Sequence, residues 1–194
     1  MRVLVLYAHP VETSFNAALH RRVIASLREA GHEVDDCDLY AENFNPVLSR
    51  EERLNYHDTA LNQQPVASHV ERLKRADAIV LVFPVWCFGL PAILKGWFDR
   101  VLMPGVSFDI SDPAKVKPAL THLRKIAAVT TYGRPRWMAL YMGDPPRRVI
   151  RRYLGALTGR RAKIEYLAYY HMNVATPETL ARHLDYVGER MRRF

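Results

Sequence analysis

Cysteine is scarce in this chain of 194 residues, with only Cys37 and Cys87 present. Two distant cysteines match neither a zinc spacing nor the framework of a small secreted protein, so a reducing cytoplasm is the expected setting. Glycine is also sparse, at nine residues. There is no Gly-X-Y period, no heptad register and no repeat of about 20–50 residues, which excludes collagen, coiled coils and solenoids. No signal peptide is read, because strand-like residues begin at once with Arg2, Val3, Leu4, Val5 and Leu6. The longest uncharged run, residues 78–94, is just under the length of a membrane span. Pro84, Gly89 and Pro91 interrupt it, which makes it a buried strand, a loop and a helix start instead. No membrane span is expected.

Apolar and basic residues are plentiful. Hydrophobic residues make up 49% of the chain, too many for a disordered polymer, and the length suits one domain over 1–194. The net charge of +8 is compatible with nucleic acid, an anionic membrane surface or anionic small molecules. No nucleic-acid recognition motif accompanies it, so no nucleic-acid partner is expected.

Along the chain, strand-like and helical patterns alternate. Residues 2–8 (RVLVLYA), 32–36, 78–83 (AIVLVF), 126–130 (IAAVT) and 163–169 read as strands. Helical spacing runs from Phe15 to Ala30, ending at Gly31, and again over 66–75, 91–102, 145–157 and 177–192. Residues 40–62 form a polar excursion with short helices. Five alternations give an α/β three-layer sandwich, a five-stranded parallel sheet with helices on both faces. Its order is expected to be the flavodoxin-like 2-1-3-4-5, with ligands beyond the carboxyl ends of the strands.

Three loops leave those ends. The first carries His9, Pro10, Val11, Glu12, Thr13, Ser14, Phe15 and Asn16. Without glycine it is neither a Walker loop nor a GxGxxG turn. It still opens a helix, where free N–H groups and the positive dipole end suit a phosphate. The plainer reading is that Thr13 or Ser14 caps the helix, and Glu12 opposes an anion unless it turns to solvent. The second loop, after strand three, is Pro84, Val85, Trp86, Cys87, Phe88, Gly89, Leu90 and Pro91. A planar ligand fits against it, although Trp86 and Phe88 fit a core equally well. The third, Thr130, Thr131, Tyr132 and Gly133, suits backbone donors aimed at a ligand edge, or an ordinary turn.

With these residues on the page, AHPVETSFN at 8–16, DLYAENFNPVLSREE at 38–52, FPVWCFGLPAILKGWFDRVL at 83–102 and TTYG at 130–133 resemble the flavin-dependent NAD(P)H:quinone oxidoreductases. The resemblance covers most of residues 1–133. It implies a flavin, FAD or alternatively FMN, with its phosphates on His9, Thr13, Ser14, Phe15 and Asn16. It places the isoalloxazine ring along Pro84, Val85, Trp86, Cys87 and Phe88, and its pyrimidine side against Thr130, Thr131, Tyr132 and Gly133. It implies NAD(P)H as co-substrate, hydride transfer through one shared slot to a quinone-like or other aromatic acceptor, ping-pong kinetics, and a homodimer with the active site at the interface.

The chain departs from the family pattern after the third loop. The family's histidine position falls at Met142, and its tyrosine position within residues 136–138. The expected substitutes in catalysis are Arg136 or Tyr141. A substrate-wall tyrosine maps to Phe108, and Trp137 is expected to face substrate as well. The long C-terminal extension of the animal enzymes is missing, which bears on FAD against FMN. Because the Tyr/His pair is lost, a second function is retained: an ancillary flavin-binding subunit of a potassium-efflux transporter. An electron-carrier flavodoxin fits less well. Cys87 is expected to be a buried, inert thiol, and His57, His69, His122 and His183 show no ligand spacing, so no metal is assigned. Arg147, Arg148, Arg151 and Arg152 lie opposite the stripe Val149, Ile150, Tyr153, Leu154 and Leu157, as on a solvated helix face. Arg134 and Arg136 instead lie where they can meet the phosphates of NAD(P)H.

Overall fold

The apolar runs at 2–8 and 78–85 have no polar face, so as strands they must be covered on both sides. A computed structural model, which describes residues 1–112 and 115–194, shows this arrangement. β1 (Arg2–Tyr7), β2 (Glu33–Asp38), β3 (Ala78–Val85), β6 (Lys125–Tyr132) and β7 (Lys163–Tyr169) form one sheet in the order β2-β1-β3-β6-β7. All four pairings are parallel, so the expected topology is the observed one.

Side chains alternate between two cores. Leu4, Leu6, Ile79, Leu81 and Phe83 pack beneath α3 (Ala67–Arg75) and α4 (Ala92–Val101). Val3, Val5, Val80 and Val82 face α1 (Phe15–Glu29) and α8 (Pro177–Arg192). β2 runs two residues beyond the expected 32–36, because Cys37 and Asp38 still pair with Leu6 and Tyr7. The excursion contains one short helix, α2 (Arg50–Leu54), closed by a Ser49/Glu52 capping box.

The excursion is clamped onto α4. A Cβ on Gly96 would lie 2.2 Å from the Pro46 carbonyl oxygen, so only glycine lets this backbone approach. Beside it Arg100 pairs with Glu52 at 2.6 Å, both side chains 10% exposed, and donates to the Asn45 carbonyl at 2.6 Å.

After β6 the sequence pattern is less direct. A short helix, α5 (Arg136–Tyr141), and a two-residue hairpin, β4 (Phe108–Asp109) with β5 (Lys117–Pro118), were not anticipated. The helical stretch at 145–157 is one rod of α6 (Pro145–Arg148), a wider-turned segment Val149–Leu154 and α7 (Gly155–Leu157). Ile150, Leu154 and Leu157 are buried, as the stripe requires. Among the described residues, no helix is long and apolar enough to cross a membrane.

Candidate functional site

The three loops meet at the carboxyl edge of the sheet. The parallel register sets Phe83 beside Thr130, Pro84 beside Thr131 and Val85 beside Tyr132, so the second and third loops leave the sheet together. The first loop is tied to them by a buried side-chain bond in which Asn16 Nδ2 donates to Thr131 Oγ1 at 2.9 Å.

In the first loop Ser14 caps α1. Its hydroxyl accepts from the Ala17 amide at 3.1 Å and donates to the Val11 carbonyl at 2.7 Å. The capping role is therefore real, and it leaves the Phe15 and Asn16 amides as the free donors of the first turn. That turn holds no acidic residue, so its dipole is uncompensated. Glu12 is exposed, as anion binding requires, and Thr13 is exposed as well. The Phe15 ring turns away into an edge contact with Tyr169 at 5.9 Å, so only its backbone serves the loop. His9 accepts the Val11 amide at Nδ1, at 3.0 Å. Burial holds its pKa below the usual histidine range. A neutral ring with Nδ1 occupied as acceptor carries its hydrogen on Nε2, so His9 offers a neutral donor.

The second loop is a tight turn. Trp86 and Gly89 exchange backbone bonds of 3.2 and 2.8 Å, with Cys87 at φ 48° and Phe88 at φ 57° between them. Two successive left-handed residues other than glycine, asparagine or aspartate store strain. The turn holds Trp86 out at 41% exposure, its ring 5.7 Å from that of His9. Trp86 is a shelf, not core filling. Cys87 is exposed and reduced, not buried, while Pro84 is buried and Val85 half-buried within β3.

The third loop divides. Thr131 accepts from Asn16, and the Thr130 hydroxyl is buried without a partner. Gly133 is half-buried, facing Asn173, whose Oδ1 would lie 3.3 Å from an added Cβ. The Tyr132 side chain points away from the edge. It is 2% exposed and donates to Asp144 Oδ1 at 2.5 Å, with the Tyr166 hydroxyl 2.6 Å away. Arg147 Nε donates to Asp144 Oδ2 at 2.8 Å, Arg147 Nη2 donates to the Tyr170 hydroxyl at 2.7 Å, and the guanidinium lies over the Tyr166 ring at 4.4 Å. Burial, the neighbouring phenol and the Asp144 bond all push the Tyr132 hydroxyl well above the usual tyrosine range. Arg147 is thus not part of the solvated face expected of it, although Arg148, Arg151 and Arg152 are exposed.

α5 carries Arg136, Trp137 and Tyr141, with Trp137 64% and Tyr141 83% exposed. Among the described residues none of these three makes a side-chain hydrogen bond or ion pair. Arg134 and Arg136 are both exposed near the edge. Phe108 is half-buried in β4, packed on the core under α4. Within one chain no ring contact joins Phe108 to Trp137. The structure also brings together Cys37, Glu42 and His69, whose ligand atoms lie within 4.8 Å of one another. Their separation in sequence gave no signal for this cluster. Arg72 occupies Glu42 at 2.8 Å, and burial pushes the Cys37 thiol far up.

The residues present fit a flavin. Free amides and an uncompensated dipole suit its phosphate, the Trp86 shelf suits its ring, and the unpartnered buried Asn16 Oδ1 and Thr130 Oγ1 lie in the segments that meet there.

A family model described as a flavodoxin-like fold matches residues 1–189. NAD(P)H dehydrogenase (quinone) 1 of Rattus norvegicus is 35% identical over 149 residues, covering 68% of this chain and 54% of that protein. Ribosyldihydronicotinamide dehydrogenase (quinone) of Homo sapiens is 38% identical over 126 residues, covering 56% and 54%. The chain spans about half the length of the curated relatives it matches. In solved structures, the NAD(P)H:quinone oxidoreductase of Methanothermobacter marburgensis superposes with a TM-score of 0.84 at 26% identity, over 99% of this chain and 98% of that one.

Proposed function

The chain belongs to the flavodoxin-like fold family, and from that premise we propose that it is a flavin-dependent oxidoreductase acting between NAD(P)H and a quinone-like or other aromatic acceptor. A flavin held at the sheet edge would supply the two-electron chemistry that neither α5 nor the loops possess. The observation that carries the reading is the convergence of the loops: Asn16 bonds Thr131, and β3 and β6 deliver the Trp86 turn beside the third loop.

In this reading the Phe15 and Asn16 amides bind the cofactor phosphate, with the neutral His9 Nε2–H as a further donor. Trp86, Cys87 and Phe88 orient the ring by contact. The backbone amides around Gly133 would hold the ring edge, where they could stabilise negative charge. Arg134 and Arg136 draw the anionic dinucleotide to the slot. Relatives bearing quinone-reductase names support the substrate class. Reductant and acceptor use one slot in turn, which makes the kinetics ping-pong. The exposed Trp86, Trp137 and Tyr141 support a homodimer whose second copy covers the slot.

The exposed, unbonded Arg136 and Tyr141 favour one second reading, an ancillary transporter subunit with bound flavin and little turnover. One experiment separates the two. The purified protein is titrated anaerobically with NADH and NADPH, then mixed with menadione. Rapid bleaching, rapid recovery of the yellow colour and parallel double-reciprocal lines are expected. Bound flavin without turnover refutes the enzyme reading, and protein that takes up no flavin refutes both.

A further inference from the structure

On the sheet face covered by α3 and α4, three side chains of metal-binding type converge, none of them among the flavin contacts assigned above. Cys37 lies near the end of β2 and is fully buried, Glu42 sits in the turn that follows, and His69 belongs to α3. One ligand atom from each lies within 4.8 Å of the other two. Cys37 Sγ is 3.7 Å from Glu42 Oε2 and 3.8 Å from His69 Nδ1, and His69 Nε2 is 3.9 Å from Glu42 Oε2. None of the three is a tight hydrogen bond. Polar groups that converge without bonding closely leave room for a shared ion between them. Bonds of about 2.3 Å to sulfur and about 2.0 Å to nitrogen or oxygen set the ligand atoms of a tetrahedral zinc ion about 3.3–3.5 Å apart. The two thiol contacts reach that spacing by closing a few tenths of an ångström.

The ligands are held from behind. The His69 ring stands edge-on to Phe44 at 4.8 Å, and burial holds its pKa below the usual histidine range, so the imidazole is neutral, as a metal ligand must be. The Trp97 indole donates to His69 Nδ1 at 3.4 Å, a long bond that an ion on that nitrogen would replace. Arg72 Nη1 donates to both Glu42 oxygens at 2.8 and 2.9 Å, while its Nε and Nη2 hold Asp35 Oδ1 at 2.9 and 2.7 Å. Glu42 can therefore turn one oxygen to an ion while Arg72 keeps Asp35. The Glu42 side chain is 34% exposed, which supplies an entry path and a fourth position for water.

The charge balance selects a divalent cation. The two carboxylates of Asp35 and Glu42 against the one guanidinium of Arg72 leave one negative charge, with the thiol and the imidazole neutral. As the ion binds, the Cys37 S–H bond breaks, its proton leaves to solvent and a sulfur–metal bond forms, with nothing oxidised or reduced. Thiolate and divalent cation together then bring the cluster to zero, the total that burial favours. A thiolate, an imidazole and a carboxylate with one open position suit zinc, whereas magnesium and calcium take oxygen ligands.

We propose that Cys37, Glu42 and His69 form a zinc site that ties the end of β2 and the turn after it to α3. The site is independent of the flavin reading, and its test holds whether or not flavin is bound. Full-length protein, reduced and stripped with a chelator, is titrated with Co²⁺ and followed by difference spectra. One Co²⁺ per chain is expected, with a thiolate-to-cobalt charge-transfer band and tetrahedral ligand-field bands that Zn²⁺ abolishes by displacement. Cys37→Ala is expected to lose the charge-transfer band and Cys87→Ser to keep it. Glu42→Gln and His69→Gln are each expected to weaken Zn²⁺ binding by about tenfold or more. Zn²⁺ at about a hundredfold above Kd is expected to raise the Tm of the native chain by about 5 °C and to leave Cys37→Ala unshifted. Should Cys37→Ala fold poorly, Glu42→Gln, at an exposed position, decides alone. Absence of the charge-transfer band, or a band that survives Cys37→Ala, overturns the site. So does native Zn²⁺ affinity in Glu42→Gln or His69→Gln, because the ion then sits elsewhere.

Discussion

Asp144 is the junction of three segments, and its replacement by asparagine tests how they are joined. The residue is 4% exposed and left-handed, at φ 46°. Asparagine tolerates that backbone, so the substitution isolates the side chain. An amide can still accept from Tyr132 at Oδ1, but its nitrogen then faces Arg147 Nε, donor against donor. The loss is one hydrogen bond to a charged group, about 1.5–3 kcal/mol. Arg147 keeps Tyr170 at 2.7 Å and is 27% exposed, so water recovers part of it, leaving about 2 kcal/mol. For a chain of this size that lowers Tm by about 4–8 °C. The assay is thermal and urea unfolding of Asp144→Asn, Arg147→Met and the double variant. A coupling energy of about 1 kcal/mol or more is expected between the two sites. Additive effects, or an Asp144→Asn loss under about 0.5 kcal/mol, would refute the reasoning that the pair acts as a buried lock.

Gly96→Ala is expected to cost about 3 kcal/mol in urea unfolding, because the added Cβ meets Pro46 backbone that cannot give way. Phe88→Gly is expected to stabilise the chain by about 1 kcal/mol by relieving a left-handed residue. The same variant is expected to retain less flavin, read by absorbance after dialysis. Burial lowers the His183 pKa from 6.5 to about 4, so the native state resists a proton that the unfolded chain binds. Stability from this group is full above pH 6.5 and falls as pH drops towards about 4, a loss on the order of 2 kcal/mol after allowance for partial exposure. Unfolding of His183→Gln across that window is expected to show a flatter profile.

The strand and helix periods exposed most of the layout, since apolar runs without a polar face have few places to go. They carried the three loops to one edge, and the Asn16–Thr131 bond bears that out. What they missed depends on side chains choosing between two directions. Tyr132, expected in a ligand-facing loop, instead closes β6, and its ring turns inward because a carboxylate and two phenols wait there. Arg147 has the helical position of a solvated residue and is drawn down by the same carboxylate. No periodicity reveals that Cys37 and His69 meet, because the crossover between them sets their distance. Part of what makes LPAILKGWFDRV recognisable is packing, since Gly96 and Arg100 hold the excursion in place.

The bond between Asn16 and Thr131 also sets an order of assembly. The sheet grows outward from β1 through β3 to β6 and β7, and the phosphate turn is complete in sequence long before its partner exists. A nascent chain releasing about 5–20 residues each second therefore exposes the first loop for several seconds without the hydroxyl that anchors it. The site closes only when β6 arrives. A truncated product ending before residue 131 would keep a turn recognisable in sequence yet lack the side-chain bond that locks it to the rest of the edge.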